Sequence, residues 1–388
     1  MVPTNIVIIG ASTVGLTAAH ELLRDARNLN AKVTLINPSA TFYWNIAAPR
    51  IVAKPNAFRA DEYLLPIKEA FAQYAADSFE FILGTATDID TSSNTVSVTP
   101  NEGEDMSLPY DHLLIGSGAT TPATTGQVTG SSIPFKHSGR DDLKEVIEAA
   151  QKLTTSAKSI VIGGAGPVGV ELAGELAEAA AENSSDVSIT LVSATDRVLH
   201  TLKSSASSAA EGQLKKKNVN VITSTRVLGV EASGDSWIVS LDSGEKLTTD
   251  LYIPTTGFIP NNSFIPERFL ATEGWVRVDK ELRVLSSESS GTLPIYAAGD
   301  ITTNWMRLSF KAAEQARVAA HNIKVDILEK GERKSYDQGD SVMMVVPIGE
   351  AGGTGQIFGF VPWGFMVKMI KGKDYFMSKA PDYLAGKA

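Results

Sequence analysis

Small residues recur at one spacing in two places of this 388-residue chain: Gly10, Ser12 and Gly15 in G10-A-S-T-V-G15, and Gly164, Gly166 and Gly169 in G164-A-G-P-V-G169. Each set stands between an apolar run and a helix-forming run. In that arrangement a backbone can turn tightly, approach a pyrophosphate and rest its charge on the N–H groups that open a helix. The bland alternative is a strand-to-helix turn with no ligand, but two copies predict two dinucleotide sites. A third candidate is T292-L-P-I-Y-A-A-G-D300, where an apolar strand delivers Gly299 and Asp300 to a helix start. Glycine permits close approach there. The Asp300 carboxylate can accept hydrogen bonds from a ribityl hydroxyl or, alternatively, cap the helix.

The elements that must position these residues read as two matching units. The first runs strand, glycine turn, helix, strand through Asn5–Gly10, Val14–Leu23 and Lys32–Asn37, adds alternating segments near Phe79–Gly84 and Thr95–Thr99, and closes at Tyr110–Ala119. The second repeats the plan through Ser159–Gly164, Val168–Glu178 and Val187–Ser193, with short strands at Val219–Ile222, Val227–Glu231 and Trp237–Leu241, ending at Leu251–Asn261. Pro122–Pro134, rich in Thr, Gly and Ser, reads as a connector. Beyond a helix over Phe310–Leu328, the tail carries a glycine-rich strand pair and a short apolar and basic helix over Trp363–Lys371. The expected class is α/β, with two Rossmann-like dinucleotide-binding domains and a small C-terminal subdomain.

Composition removes several function classes. The net charge of −9 leaves no basic footprint for nucleic acid. With no cysteine in the chain, a disulfide framework, thiolate nucleophile, Cys-based zinc site and redox-active C-x-x-C are all absent, and redox work must use a bound cofactor. The five histidines show no metal-ligand spacing, and His20 and His321 are expected in packing or at a surface. No apolar run is long enough to span a bilayer, and with the first strand starting almost at once no signal segment is expected unless one has been removed. A cytoplasmic protein is expected.

Five segments in order, G10-A-S-T-V-G15, Y110-D-H-L-L-I-G-S-G-A119, G163-G-A-G-P-V-G-V-E-L-A-G-E175, T255-T-G-F-I-P-N261 and Y296-A-A-G-D300, resemble the flavoproteins with two dinucleotide domains and a glutathione-reductase-like fold. F42-Y-W-N-I-A-A-P-R50, the start of the Arg307–Ala316 segment and G355-Q-I-F-G-F360 make the chain most similar to the apoptosis-inducing-factor-like, mitochondrion-associated (AMID-type) NAD(P)H:quinone oxidoreductases. The resemblance implies an FAD domain over 1–121 and 252–335, an NAD(P) domain over 122–251 and a subdomain over 336–388. It places FAD against Gly10, Ser12, Gly15, Asn37, Asn45, Ala86, Gly118, Gly257, Gly299 and Asp300, with Arg50 as a charge partner for phosphate. Relatives usually carry an acid at the position of Asn37, whose amide can accept one ribose hydrogen bond and donate another. Gly164, Gly166 and Gly169 would cradle NAD(P), and neutral Ser193 with Arg197 nearby excludes neither cofactor, with a lean towards NADH. The resemblance also pairs Glu171 with Arg307, where relatives commonly carry Lys, over the flavin.

The expected activity is transfer of hydride from NAD(P)H to FAD and of electrons onward to a quinone-like acceptor. Two alternatives stand: an FAD oxidase of specialised metabolism using oxygen, and an NADH-sensing interaction protein with incidental turnover. In 363–373, with Lys368 and Lys371 on one helical face, the tail either touches anionic lipid at a membrane surface or packs on the flavin domain or a homodimer contact.

Overall fold

The strand Thr4–Ile9 (TNIVII) is apolar on both faces and becomes buried towards its C-terminal end, as a central strand of a parallel sheet must be. In the computed structural model, which describes residues 2–139, 142–288 and 291–387, it sits third in a seven-stranded sheet. The order is Ile295–Ala297, His112–Ile115, Thr4–Ile9, Ala31–Asn37, Phe79–Asp90, Thr95–Pro100, Met106–Pro109. The first five run parallel: Ile6 faces Val33 on one side and His112 on the other. Phe79–Asp90 changes role part-way. Its first half pairs parallel with Val33–Asn37, and from Gly84 it pairs antiparallel with Thr95–Pro100. A Cβ at Gly84 would stand 2.8 Å from Pro100 Cα, so glycine is what lets the two strands approach where the pairing turns over.

A second sheet of four parallel strands, Val219–Ile222, Ser188–Val192, Ser159–Gly163 and Leu251–Pro254, repeats the arrangement, with an antiparallel trio over Val227–Ser233, Ser236–Leu241 and Lys246–Thr249 beside it. The fold is thus α/β with two Rossmann-like units. Helix Ser309–Leu328 buries Ala312, Ala313, Ala316, Ala319 and Ala320, small enough to let it lie close against helix Thr13–Leu23. Helix Ala48–Ala53 packs across helix Pro167–Glu182 and so joins the two units.

The tail departs from the single helix expected over Trp363–Lys371. A helix over Gly364–Val367 widens into a π turn over Lys368–Gly372. The chain then crosses the first unit, where Trp44 Nε1 donates to the Tyr375 carbonyl at 2.9 Å and buried His20 meets the Leu384 carbonyl through Nε2 at 2.8 Å. His20 also meets the Tyr74 hydroxyl through Nδ1 at 2.9 Å and stacks on Phe71. Burial lowers its pKa. It is a packing residue. No helix among the described residues is long and apolar enough to cross a membrane.

Candidate functional site: two glycine turns and a charged seam

Strand Thr4–Ile9 ends on Gly10 at φ +96°, a conformation open chiefly to glycine, and a Cβ there would lie 2.5 Å from the Gly116 carbonyl oxygen. Gly15 is tighter, its absent Cβ falling 1.8 Å from the Gly10 oxygen. The second turn has the same geometry. Gly164 sits at φ +122°, and a Cβ on Gly169 would fall 1.9 Å from the Gly164 oxygen. The middle positions differ from these. Gly166 has open space around its missing side chain, and Ser12 has ordinary extended backbone at φ −99°. Serine in place of the middle glycine therefore costs the turn nothing, and its hydroxyl is exposed at the helix start.

Above the first turn, at the carboxyl ends of the strands where the strand order reverses, lies a cleft of about 520 Å³. Of the residues singled out in the sequence, Gly10, Ser12, Asn37, Asn45, Ala86, Gly118, Asp300 and Arg307 line it. Asn37 ties its loop to the first glycine turn: Oδ1 accepts from Ala11 N at 2.9 Å and Nδ2 donates to the Ser39 carbonyl at 2.7 Å. An acid could make the first bond but not the second. Gly299 stands behind the cleft at φ +78°, where a Cβ would meet Val14 at 2.6 Å, and its N–H donates to Gln315 Oε1. Gly257, at φ +80°, would place a Cβ in ordinary contact with Pro122 at 3.9 Å. Asp300 is paired in the cleft with Lys136, at 2.8 Å. Lys136 was not among the residues read from sequence, because it lies just past the Pro122–Pro134 connector in a stretch with no periodicity to mark it. These residues fit a dinucleotide: left-handed glycines that a side chain would close, free N–H groups at a helix start, and no acid in that helix's first turn.

Around the second turn Thr255 braces the loop, its hydroxyl donating to the Gly164 carbonyl at 2.7 Å. Ser193 is buried and its hydroxyl is spent on the loop after the strand, close to Thr195 Oγ1 (3.0 Å) and the Arg197 carbonyl (3.2 Å). No carboxylate ends that strand.

Two expectations are corrected. Arg50 does not line the cleft: its guanidinium is buried and bonded in bidentate fashion to Glu175, at 2.9 and 2.8 Å, donates to the Lys373 carbonyl, and lies 4.8 Å over the Tyr375 ring. The reason is helix packing, since the face of Ala48–Ala53 that carries Arg50 is the face covered by Pro167–Glu182. Nor do Glu171 and Arg307 meet. Glu171 accepts from Lys371 Nζ at 2.6 Å, while Arg307 lies 3.9 Å over the Trp275 ring. The π turn carries Lys371 inward onto helix Pro167–Glu182, as the packing alternative for the tail has it.

Both corrections belong to one pattern. Glu171, Glu175, Glu178 and Glu182 follow at intervals of four, three and four, which puts them on one face of helix Pro167–Glu182. Each has a cation from outside the helix: Lys371 on Glu171, Arg50 on Glu175, Lys54 and Lys217 on Glu178, and Lys54 again on Glu182. The signal was in the sequence as that glutamate spacing and as Arg50 and Lys54 four apart. Burial pushes the Glu171 carboxyl up, against the opposing effect of Lys371. Among the described residues no group of acids and histidines is arranged to hold a metal.

The model of the pyridine nucleotide-disulphide oxidoreductases matches residues 4–320. Oxidoreductase ptaL of Pestalotiopsis fici is 36% identical over 98% of this chain and 99% of its own length. Human ferroptosis suppressor protein 1 is 26% identical over 96% and 94%. The fold is also that of the sulfide:quinone oxidoreductase of Aquifex aeolicus, with a TM-score of 0.77 at 17% identity over 98% of this chain and 92% of that one. The chain belongs to the pyridine nucleotide-disulphide oxidoreductase family. It is an enzyme of that family, an NAD(P)H-dependent flavoprotein oxidoreductase whose cofactors are FAD and NAD(P)H.

Proposed function

We propose that the chain passes electrons from NAD(P)H to a diffusible quinone-like acceptor, as the AMID-type members of the family do. The observation that carries this reading is the repeat of one glycine geometry at two turns in a chain without cysteine. With no thiol pair to relay electrons, the route leads outward to a small molecule. FAD, when bound, supplies a hydride acceptor for the nicotinamide and an electron donor for that molecule.

The residues' own work is placement and charge balance. The N–H groups that open helix Thr13–Leu23 behind Ser12 hold one pyrophosphate, and those behind Gly164 and Gly166 the other. Asp300, paired with Lys136, accepts from ribityl hydroxyls. Glu171 orients the nicotinamide amide, with its Oε1 held by Lys371 Nζ in place of the Arg307 expected there. Similarity to ferroptosis suppressor protein 1 along nearly the whole chain supports the subfamily assignment.

Anaerobic addition of NADH or NADPH to FAD-loaded protein should bleach the flavin absorbance, and a quinone should restore it. No bleaching by either nucleotide sinks the reading. Peroxide formed from an organic substrate without nicotinamide would select the oxidase alternative.

A peripheral lipid contact through 363–373 is supported by Trp363, Phe365 and Met369, all more than half exposed, with Trp363 stacked on Phe365 and edge-on to Phe360. Co-flotation with phosphatidylcholine vesicles that is lost in Trp363→Ser/Phe365→Ser tests it. A concentration-dependent dimer with no flotation would refute it.

A further inference from the structure

Among the described residues, Arg307 is a charge in the cleft without a hydrogen bond or ion pair. Asp300 and Lys136 neutralise one another at 2.8 Å. The Arg307 guanidinium makes no hydrogen bond or ion pair among the described residues, and its Nε is buried without a partner. Desolvation lowers its pKa, and the Asp300 charge only partly opposes this. A buried unmatched donor of this kind is uncommon in a folded protein and marks a place where something else belongs.

The surroundings say what. The Arg307 guanidinium carbon lies 3.9 Å from the Trp275 ring centre and 5.6 Å from that of Phe258, and Lys136 Nζ is 6.0 Å from the same Phe258 ring. Phe258 is 45% exposed. Arg307 itself lines the cleft. One uncompensated planar cation, clamped on an indole and next to an accessible phenyl face, suits a flat ring that carries an oxyanion: the ring stacks while the guanidinium donates to the oxygen.

We propose that Arg307, Phe258 and Trp275 form the acceptor's subsite, and that the acceptor is a planar aromatic with an ionised hydroxyl, such as a hydroxyquinone or phenolate. This rests on the acceptor reading above and narrows its substrate class. A second claimant for the guanidinium is the FAD itself, so the test separates the two.

The experiment is calorimetric titration of oxidised, FAD-loaded protein, without nicotinamide, by 2-hydroxy-1,4-naphthoquinone (an anion at neutral pH) and by its neutral 2-methyl analogue. Because nothing turns over, the outcome is independent of whether NAD(P)H reduces the flavin. The hydroxy compound should bind about ten- to hundredfold more tightly, the range for a hydrogen bond to a charged group. Arg307→Gln should bring the two affinities together, and Arg307→Lys should keep part of the difference. Equal affinities in the native protein, or a preference unchanged in Arg307→Gln, would overturn the proposal. So would an Arg307→Gln protein that loses FAD but, once saturated with it, still prefers the anion. If Arg307→Gln does not fold, the native comparison and Arg307→Lys still decide.

Discussion

Glu171 Oε1 accepts a hydrogen bond from Lys371 Nζ at 2.6 Å, although the two stand 200 residues apart, one on the helix after the second glycine turn and the other in the tail. The carboxyl is buried with Glu175 as its neighbour, and Lys371, with a smaller effect from Arg50, opposes its protonation. Lys371→Met should therefore push the Glu171 pKa further up. A carboxyl whose folded pKa is raised contributes its stability below the unfolded value near 4.5, and that contribution is lost as pH rises through the folded value. The deficit of Lys371→Met against the native protein should be small near pH 4.5 and grow towards pH 8, reaching about 3–5 kcal/mol, the usual cost of stranding a buried charge. Urea unfolding across that range checks it, and a deficit independent of pH would show that the pair is only packing.

Arg50 and Glu175 offer a separate test of whether the seam joins the two units. Both side chains are almost wholly buried, at 5% and 0% exposure. Arg50→Met strands the Glu175 carboxylate and should cost about 3–5 kcal/mol, whereas adding Glu175→Leu should recover most of that loss, because an apolar pair needs no desolvated charge. A double-mutant cycle by chemical denaturation measures the coupling. Additive single effects would mean that Glu175 finds another partner. Arg50→Lys should behave more like Met than like Arg, since a point charge cannot reproduce the two-pronged bond.

The glycines predict separable losses. Gly169→Ala forces a methyl into the Gly164 carbonyl oxygen, as Gly15→Ala does at Gly10. Gly169→Ala should purify yellow, with FAD bound, but fail to bleach with NADH or NADPH. Gly15→Ala should lose FAD. Gly166→Ala adds a methyl to open space, so its unfolding midpoint should match the native one while its nucleotide affinity falls, because the methyl occupies the approach of the pyrophosphate. Flavin content, anaerobic bleaching and thermal melts read these out. Loss of FAD from Gly169→Ala would show the two turns to be one cooperative site.

The difference between what was legible in the sequence and what was not has a physical origin. The glycine turns are local: Gly10 and Gly15, or Gly164 and Gly169, meet within six residues, so their spacing alone dictates their contact. The parallel sheets were legible for the same reason, as apolar runs of strand length beside helical periodicity. Arg50 and Lys371 depend on which helix faces which, and no local pattern carries that. A regular helical period puts Lys371 on one face with Lys368, but over Lys368–Gly372 the chain makes a π turn and the phase slips. A Cβ at Gly372 would meet the Glu350 carbonyl oxygen at 2.8 Å, so the tail can pass there only as glycine. The four glutamates of helix Pro167–Glu182 were readable as an acidic face, but a charged face is usually left to solvent. Only the packing of Ala48–Ala53 and the tail turns it into an interface.

Glu178 should set much of the acid limit of stability. Its carboxylate ties three segments together, accepting from Lys54 at 2.8 Å, Lys217 at 3.0 Å and the Glu350 N–H at 2.8 Å. Burial opposes its charge, but the bonds from Lys54, Glu350 and Lys217 outweigh that and hold its pKa down at about 2. A depressed carboxyl contributes stability above its unfolded value near 4.5 and loses it as pH falls through its folded value. The window is therefore pH 4.5 down to about 2. Glu178→Gln should be less stable than the native protein by roughly 3 kcal/mol at pH 7, from about 1.4 kcal/mol for each pKa unit, and the gap should close as pH falls to 2. Because Lys54 also holds Glu182 and sits four residues from Arg50, the loss should extend beyond Glu178 and loosen the tail at Glu350. Limited proteolysis near Gly349 should then become faster in Glu178→Gln at pH 7, and in the native protein below pH 4. A tail equally resistant in both would show that strands Met344–Pro347 and Gly353–Gln356 hold it without the seam.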